Sequence, residues 1–110
     1  MQNTIKECTV QELYEVVKAN DNLQIIDVRE DYEYETVRIK DSILVPLSIF
    51  DQVMDRVDKN KTAYMLCGIG KRAMIAAERL SEKGYKDLVV IDGGIKAWIN
   101  EGYSVETGAL

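Results

Sequence analysis

Thr62-Ala-Tyr-Met-Leu-Cys67-Gly-Ile-Gly-Lys-Arg72-Ala-Met-Ile-Ala-Ala-Glu-Arg-Leu80 changes its apolar period midway. Thr62 to Leu66 is a short apolar run, suited to a strand buried on both faces. After Cys67 and Gly-Ile-Gly-Lys-Arg, the apolar residues Ala73, Ala76, Ala77 and Leu80 return at helical spacing. A helix with so small a buried face can sit close against a sheet. Gly84 follows as its stop. The stretch therefore reads as a strand, a cysteine loop and a helix.

Similar units flank it. Leu23 to Val28, Ile43 to Val45 (stopped by Pro46) and Leu88 to Ile91 are further apolar runs of strand length. Thr9-Val-Gln-Glu12 has capping-box spacing ahead of Leu13, Val16 and Val17, and Asn20 and Asp21 should end that helix. Ser48 is expected to cap a helix carrying Ile49, Val53, Met54 and Val57. Asp92-Gly93-Gly94 reads as a turn before a short helix, Ile95 to Asn100, which holds the only tryptophan, Trp98. Alternating strands and helices imply an α/β domain with a mainly parallel central sheet. Active sites in such sheets lie beyond the carboxyl ends of the strands, where Cys67 falls.

The chain has 110 residues, the size of one domain. By area scaling it should bury roughly two-thirds of its unfolded surface. Zero histidines exclude a Ser-His-Asp triad, a Cys-His dyad and a histidine proton shuttle. Two cysteines fall short of the four ligands of a structural zinc site and of a disulfide framework, which points to a reducing, cytoplasmic setting. No apolar run approaches the ~18 residues that span a bilayer. A net charge of −5 argues against nucleic acid or an anionic membrane as partner. The charge is uneven, however. Residues 59–77 hold Lys59, Lys61, Lys71 and Arg72 with no acid, a +4 island, so the remainder must carry −9.

Inside that island lies the cysteine loop. Gly68 and Gly70 permit positive φ, so that backbone N–H groups can turn inward as an anion nest. The start of the next helix adds its positive dipole end, and Lys71 and Arg72 add formal charge. A cysteine at the mouth of such a cup is favoured as thiolate, the nucleophilic form, without any histidine. Cys8 has no such surroundings and reads as structural. Gly68-x-Gly70-x-x-Ala73 matches a dinucleotide fingerprint, but only 37 residues follow it. Met65 and Arg72 occupy positions that a P-loop gives to Gly and to Ser or Thr. A cysteine-phosphatase loop puts five residues between cysteine and arginine; four lie between Cys67 and Arg72.

The whole pattern resembles the rhodanese family of sulfurtransferases. Three motifs across residues 5–106 carry the likeness. They are Ile26-Asp27-Val28-Arg29 with Glu33-Tyr34, Ile39 and Pro46; Cys67 to Arg72, similar to the family's Cys-x-x-Gly-x-Arg; and Val90 to Trp98 with Gly102-Tyr103. The resemblance implies a single rhodanese-like domain over residues 1–110, its sheet flanked by helices on both faces. It departs where the family reads Gly-His-Ile-Pro-Gly-Ala and this chain has Val37-Arg38-Ile39-Lys40-Asp41-Ser42, so the local turn should differ. Gly68 replaces an arginine frequent after the cysteine.

The implied reaction passes a sulfane sulfur from thiosulfate or another persulfide donor through a Cys67 persulfide to cyanide, a small thiol or a protein cysteine. Gly68, Ile69, Gly70, Lys71 and Arg72 would bind the donor, and neither cofactor nor metal is called for. Asp27, Arg29 and Glu33 read as a supporting ion-pair network, Trp98 as a core aromatic, and Gly93 and Gly94 as turn residues. The alternative is a catalytically weak binding or regulatory module on the same fold.

Overall fold

A computed structural model describes residues 5–19 and 23–108. Its elements run β1 (Lys6–Cys8), α1 (Val10–Ala19), β2 (Gln24–Asp27), α2 (Asp31–Thr36), β3 (Val37–Arg38), β4 (Ile43–Leu44), α3 (Phe50–Val53), β5 (Ala63–Leu66), α4 (Lys71–Glu82), β6 (Leu88–Ile91), α5 (Gly94–Asn100) and β7 (Glu106–Thr107). Five strands form one sheet in the order β1-β6-β5-β2-β4, with every pairing parallel. A small antiparallel ribbon, β3 with β7, stands apart.

Side-chain alternation along the strands sorts the core into two layers. Ile26, Val28, Ala63, Met65, Cys67, Leu88 and Val90 pack with Phe50, Val57, Ala73, Ala76, Ala77 and Leu80, which places α3 and α4 on one face. Ile25, Leu66 and Ile91 pack with Val10, Leu13, Ile95 and Trp98, which places α1 and α5 on the other. Both faces are covered, so the strands read as continuous apolar runs. Strand β2 has a buried polar residue at each end, Gln24 and Asp27. The Gln24 amide is satisfied by Asp58 and Lys61 backbone groups across 2.7–3.2 Å.

The Thr9 capping box forms in both directions, Glu12 N–H to Thr9 Oγ1 and Thr9 N–H to Glu12 Oε1. The stop expected at Asn20 and Asp21 lies outside the described residues. Gly84 takes φ +89° after α4, as a helix stop requires. Ser48, in contrast, caps nothing. It sits within a 3-10 turn, Leu47–Ile49, and its hydroxyl donates instead to Glu30 Oε1 at 2.6 Å. The expected helix there is only α3, followed by a second 3-10 turn. Short polar side chains serve long-range acceptors as readily as local N–H groups, and here Glu30 is the partner. Among the described residues, no helix is long and apolar enough to cross a membrane.

Candidate active site

Strand β5 delivers Cys67 to the carboxyl edge of the sheet, between β2 and β6. The chain then turns through residues 68–70 and enters α4 at Lys71. Gly70, at φ +112°, caps that helix and donates its N–H to Cys67 Sγ across 2.9 Å. Of the two loop glycines only Gly70 uses the left-handed region. At Gly68 a Cβ would lie 3.2 Å from the Arg72 guanidinium, a contact that a small shift of that side chain relieves. Rather than standing open at the mouth of the cup, Cys67 is fully buried, because the loop folds back far enough for Gly70 to reach the sulfur. Ile69 at the tip is 58% exposed, and Lys71 also faces solvent.

The expected network of Asp27, Arg29 and Glu33 separates into two ion pairs. Asp27 and Arg29, both buried, form the first: Nε and Nη2 of Arg29 reach the Asp27 carboxylate at 2.8–3.2 Å, and Nη2 also donates to Val37 O at 2.7 Å. Glu33 turns to the loop instead. Arg72 Nη1 and Nη2 donate to its two oxygens at 2.7 and 3.1 Å, a bidentate pair. Glu33 Oε1 also accepts the Glu30 N–H at 2.9 Å, so this carboxylate caps α2 while holding α4. Arg72's hydrogen bonds, helped by that N–H and by nearby Arg72 and Arg29 charge, outweigh partial burial and hold the Glu33 carboxyl down to about 2. The positive island is thus less positive than its composition: Glu33 offsets Arg72, while Lys71 remains exposed.

The loop is held from behind by α5. Ile95 N–H donates to Cys67 O at 2.9 Å and Lys96 N–H to Gly68 O at 3.2 Å. Such contact requires backbone against backbone. A Cβ on Gly94 would fall 2.4 Å from Cys67 O and 2.5 Å from Gly68 O. Gly93 and Gly94 do make the turn, at φ +78° and +57°, but Gly94 has this second role, which its place in a turn motif does not disclose.

Sequence reasoning also missed Arg38. Its Nη1 donates to Gly108 O at 2.8 Å and reaches the carbonyls of Tyr34 and Glu35, tying the end of α2 to β7. This is where the family's usual histidine segment is replaced, and here the turn includes Asp41 at φ +65°. Cys8 lies at the end of β1 in the α1-side layer, on the opposite face from Cys67. Burial, then the Glu12 charge, pushes its thiol up to about 11, which suits a structural residue. Trp98 is buried in the core, its Nε1–H satisfied by Ser104 O at 2.9 Å.

The rhodanese-like domain model matches residues 9–101. A Bacillus subtilis relative named "Putative sulfurtransferase YtwF" is 34% identical over 97 residues, covering 88% of this chain and 93% of that protein. The Coxiella burnetii thiosulfate sulfurtransferase GlpE is 28% identical over 93 residues, covering 84% of this chain and 86% of that one. A crystal structure of a rhodanese-like domain protein from Staphylococcus aureus superposes with a TM-score of 0.85 at 30% identity, covering 96% of this chain and all of its own. Sulfur transfer is the kind of reaction these likenesses support. By its fold, its cysteine loop and these relatives, the chain belongs to the rhodanese-like domain family.

Proposed function

We propose that residues 1–110 act as one rhodanese-like domain that carries sulfur on Cys67. The observation that carries the reading is the Gly70 N–H aimed at Cys67 Sγ from the start of α4. That backbone donor and the start of α4 both present positive dipole ends to the sulfur. In the first half-reaction the Cys67 thiolate attacks the outer sulfur of thiosulfate. A new S–S bond forms, the old one breaks with its electron pair, and sulfite leaves. In the second, cyanide or a thiolate attacks the outer sulfur of the Cys67 persulfide and returns the thiolate. Backbone N–H groups of residues 68–72 stabilise the anionic persulfide. Lys71 attracts the dianionic donor, while Arg72, held by Glu33, fixes the end of the loop.

Incubation with thiosulfate should add one sulfur atom to the intact mass, removed by cyanide, with ping-pong kinetics. Cys67→Ser should take up none. An intersecting kinetic pattern without the adduct would refute the covalent route.

A further inference from the structure

Two amides of the loop, Gly68 N–H and Ile69 N–H, donate to no protein acceptor among the described residues. Their directions follow from the carbonyls they share peptide planes with. In a trans peptide the C=O of one residue and the N–H of the next point opposite ways, and this chain has no cis bond among the described residues. The Cys67 and Gly68 carbonyls both point at α5, into the N–H groups of Ile95 and Lys96. The N–H groups of Gly68 and Ile69 therefore point away from α5. Cys67 packs in the layer formed with α4, on the face opposite α5. The two unbonded amides are thus turned toward the side that holds the sulfur, where Gly70 N–H already meets it.

We propose that Gly94 and the first amides of α5 are positioning groups for sulfur transfer: they orient the peptides 67–68 and 68–69 so that Gly68 and Ile69 join Gly70 around a Cys67 persulfide. Gly94 is required because no other residue lets the α5 backbone come close enough to grip both carbonyls. The proposal rests on the sulfur-carrier reading for its catalytic meaning. The orientation itself is a statement about backbone geometry and can be measured separately.

Gly94→Ala tests it bluntly, since both φ +57° and the contact at 2.4 Å oppose the new methyl and the variant can fail to fold. Lys96→Pro is the sharper probe. Lys96 is exposed and lies in the first turn of α5, where proline is tolerated, so it loses chiefly the N–H that holds Gly68 O. Trp98→Phe, which removes the indole N–H bond elsewhere in α5, controls for general loosening.

Two measurements are made on the parent, Lys96→Pro and Trp98→Phe. In the first, a persulfide is installed on Cys67 with inorganic polysulfide, and amide proton shifts are read by NMR in a Cys8→Ser background. Gly68, Ile69 and Gly70 should move downfield together in the parent and in Trp98→Phe, with the Ile69 shift largely lost in Lys96→Pro. In the second, the rate of persulfide formation at saturating thiosulfate should fall about tenfold in Lys96→Pro, less than the ~10²-fold loss on deleting a direct oxyanion donor. It should stay near parental in Trp98→Phe. If Gly68 and Ile69 do not shift in the polysulfide-loaded parent, the proposal is wrong. If they shift but thiosulfate delivers no sulfur, the orientation stands and the sulfur-carrier reading fails.

Discussion

Glu33→Gln removes one negative charge from the joint between α2 and the cysteine loop while keeping side-chain size. The Glu33 carboxyl, ordinarily near 4.5, is held down to about 2 by Arg72. At 1.36 kcal/mol per pH unit this difference sets a ceiling of about 3 kcal/mol on the stability it supplies. The Arg72 side chain is 37% exposed, and screening by water brings the expected loss at pH 7 to about 1 kcal/mol. The folded-state value is depressed, so the contribution is complete above the ordinary value and vanishes as pH falls through about 2. Urea unfolding of parent and variant should accordingly differ by about 1 kcal/mol at pH 7, or roughly 0.5–1 M in midpoint. That gap should close between pH 4.5 and 2. A gap of the same size at pH 7 and pH 2.5 would show that the carboxylate charge is not what holds the joint. The variant also frees the positive charge of Arg72 beside the loop, so KM for thiosulfate should fall a fewfold as the fold loses stability.

Cys8→Ser should turn over like the parent, and with its thiol at about 11, Cys8 should resist alkylation by iodoacetamide at neutral pH in the folded protein. Lys71→Ala should raise KM for thiosulfate more than it lowers kcat, with the effect fading in added salt, because exposed charges are screened beyond ~10 Å at 0.1 M. Arg72→Ala should lower the unfolding midpoint and slow transfer from thiosulfate and from a neutral persulfide alike; a loss confined to thiosulfate would assign Arg72 to binding the anionic donor instead. Asp27→Ala leaves the buried Arg29 guanidinium without its carboxylate and should cost about 3–5 kcal/mol by chemical denaturation.

Apolar period made the large elements legible in the sequence. Strands buried on both faces leave unbroken runs, and α4 exposes its small-residue stripe through Ala73, Ala76, Ala77 and Leu80. The polar short elements β1, α2, β3 and β7 left no such trace. The ribbon of β3 and β7 is tied by Arg38 to one carbonyl, Gly108 O, 70 residues away, and an arginine in a charged stretch looks like solvated surface. At the site, the residues of the loop were visible but their partners were not. Arg72 and Glu33 are 39 positions apart, and composition counts both charges without showing that they cancel. Two adjacent glycines announce positive φ, yet nothing in Gly93-Gly94 says that the carbonyls of Cys67 and Gly68 lie against the second.

The parity of β5 has a consequence for where this chain can change length. Ala63, Met65 and Cys67 share one face, Tyr64 and Leu66 the other. Inserting or deleting one residue between Thr62 and Leu66 would leave the whole motif from Cys67 to Arg72 intact and still hand the thiol to the α5 side, away from the Gly70 amide, because a single step reverses every side chain of a strand. Turns elsewhere on the surface can absorb such an indel as added slack. The run before the cysteine is instead a spacer of fixed count, as intolerant of a lost or gained residue as the loop is of a lost cysteine, although none of its own side chains takes part in the chemistry.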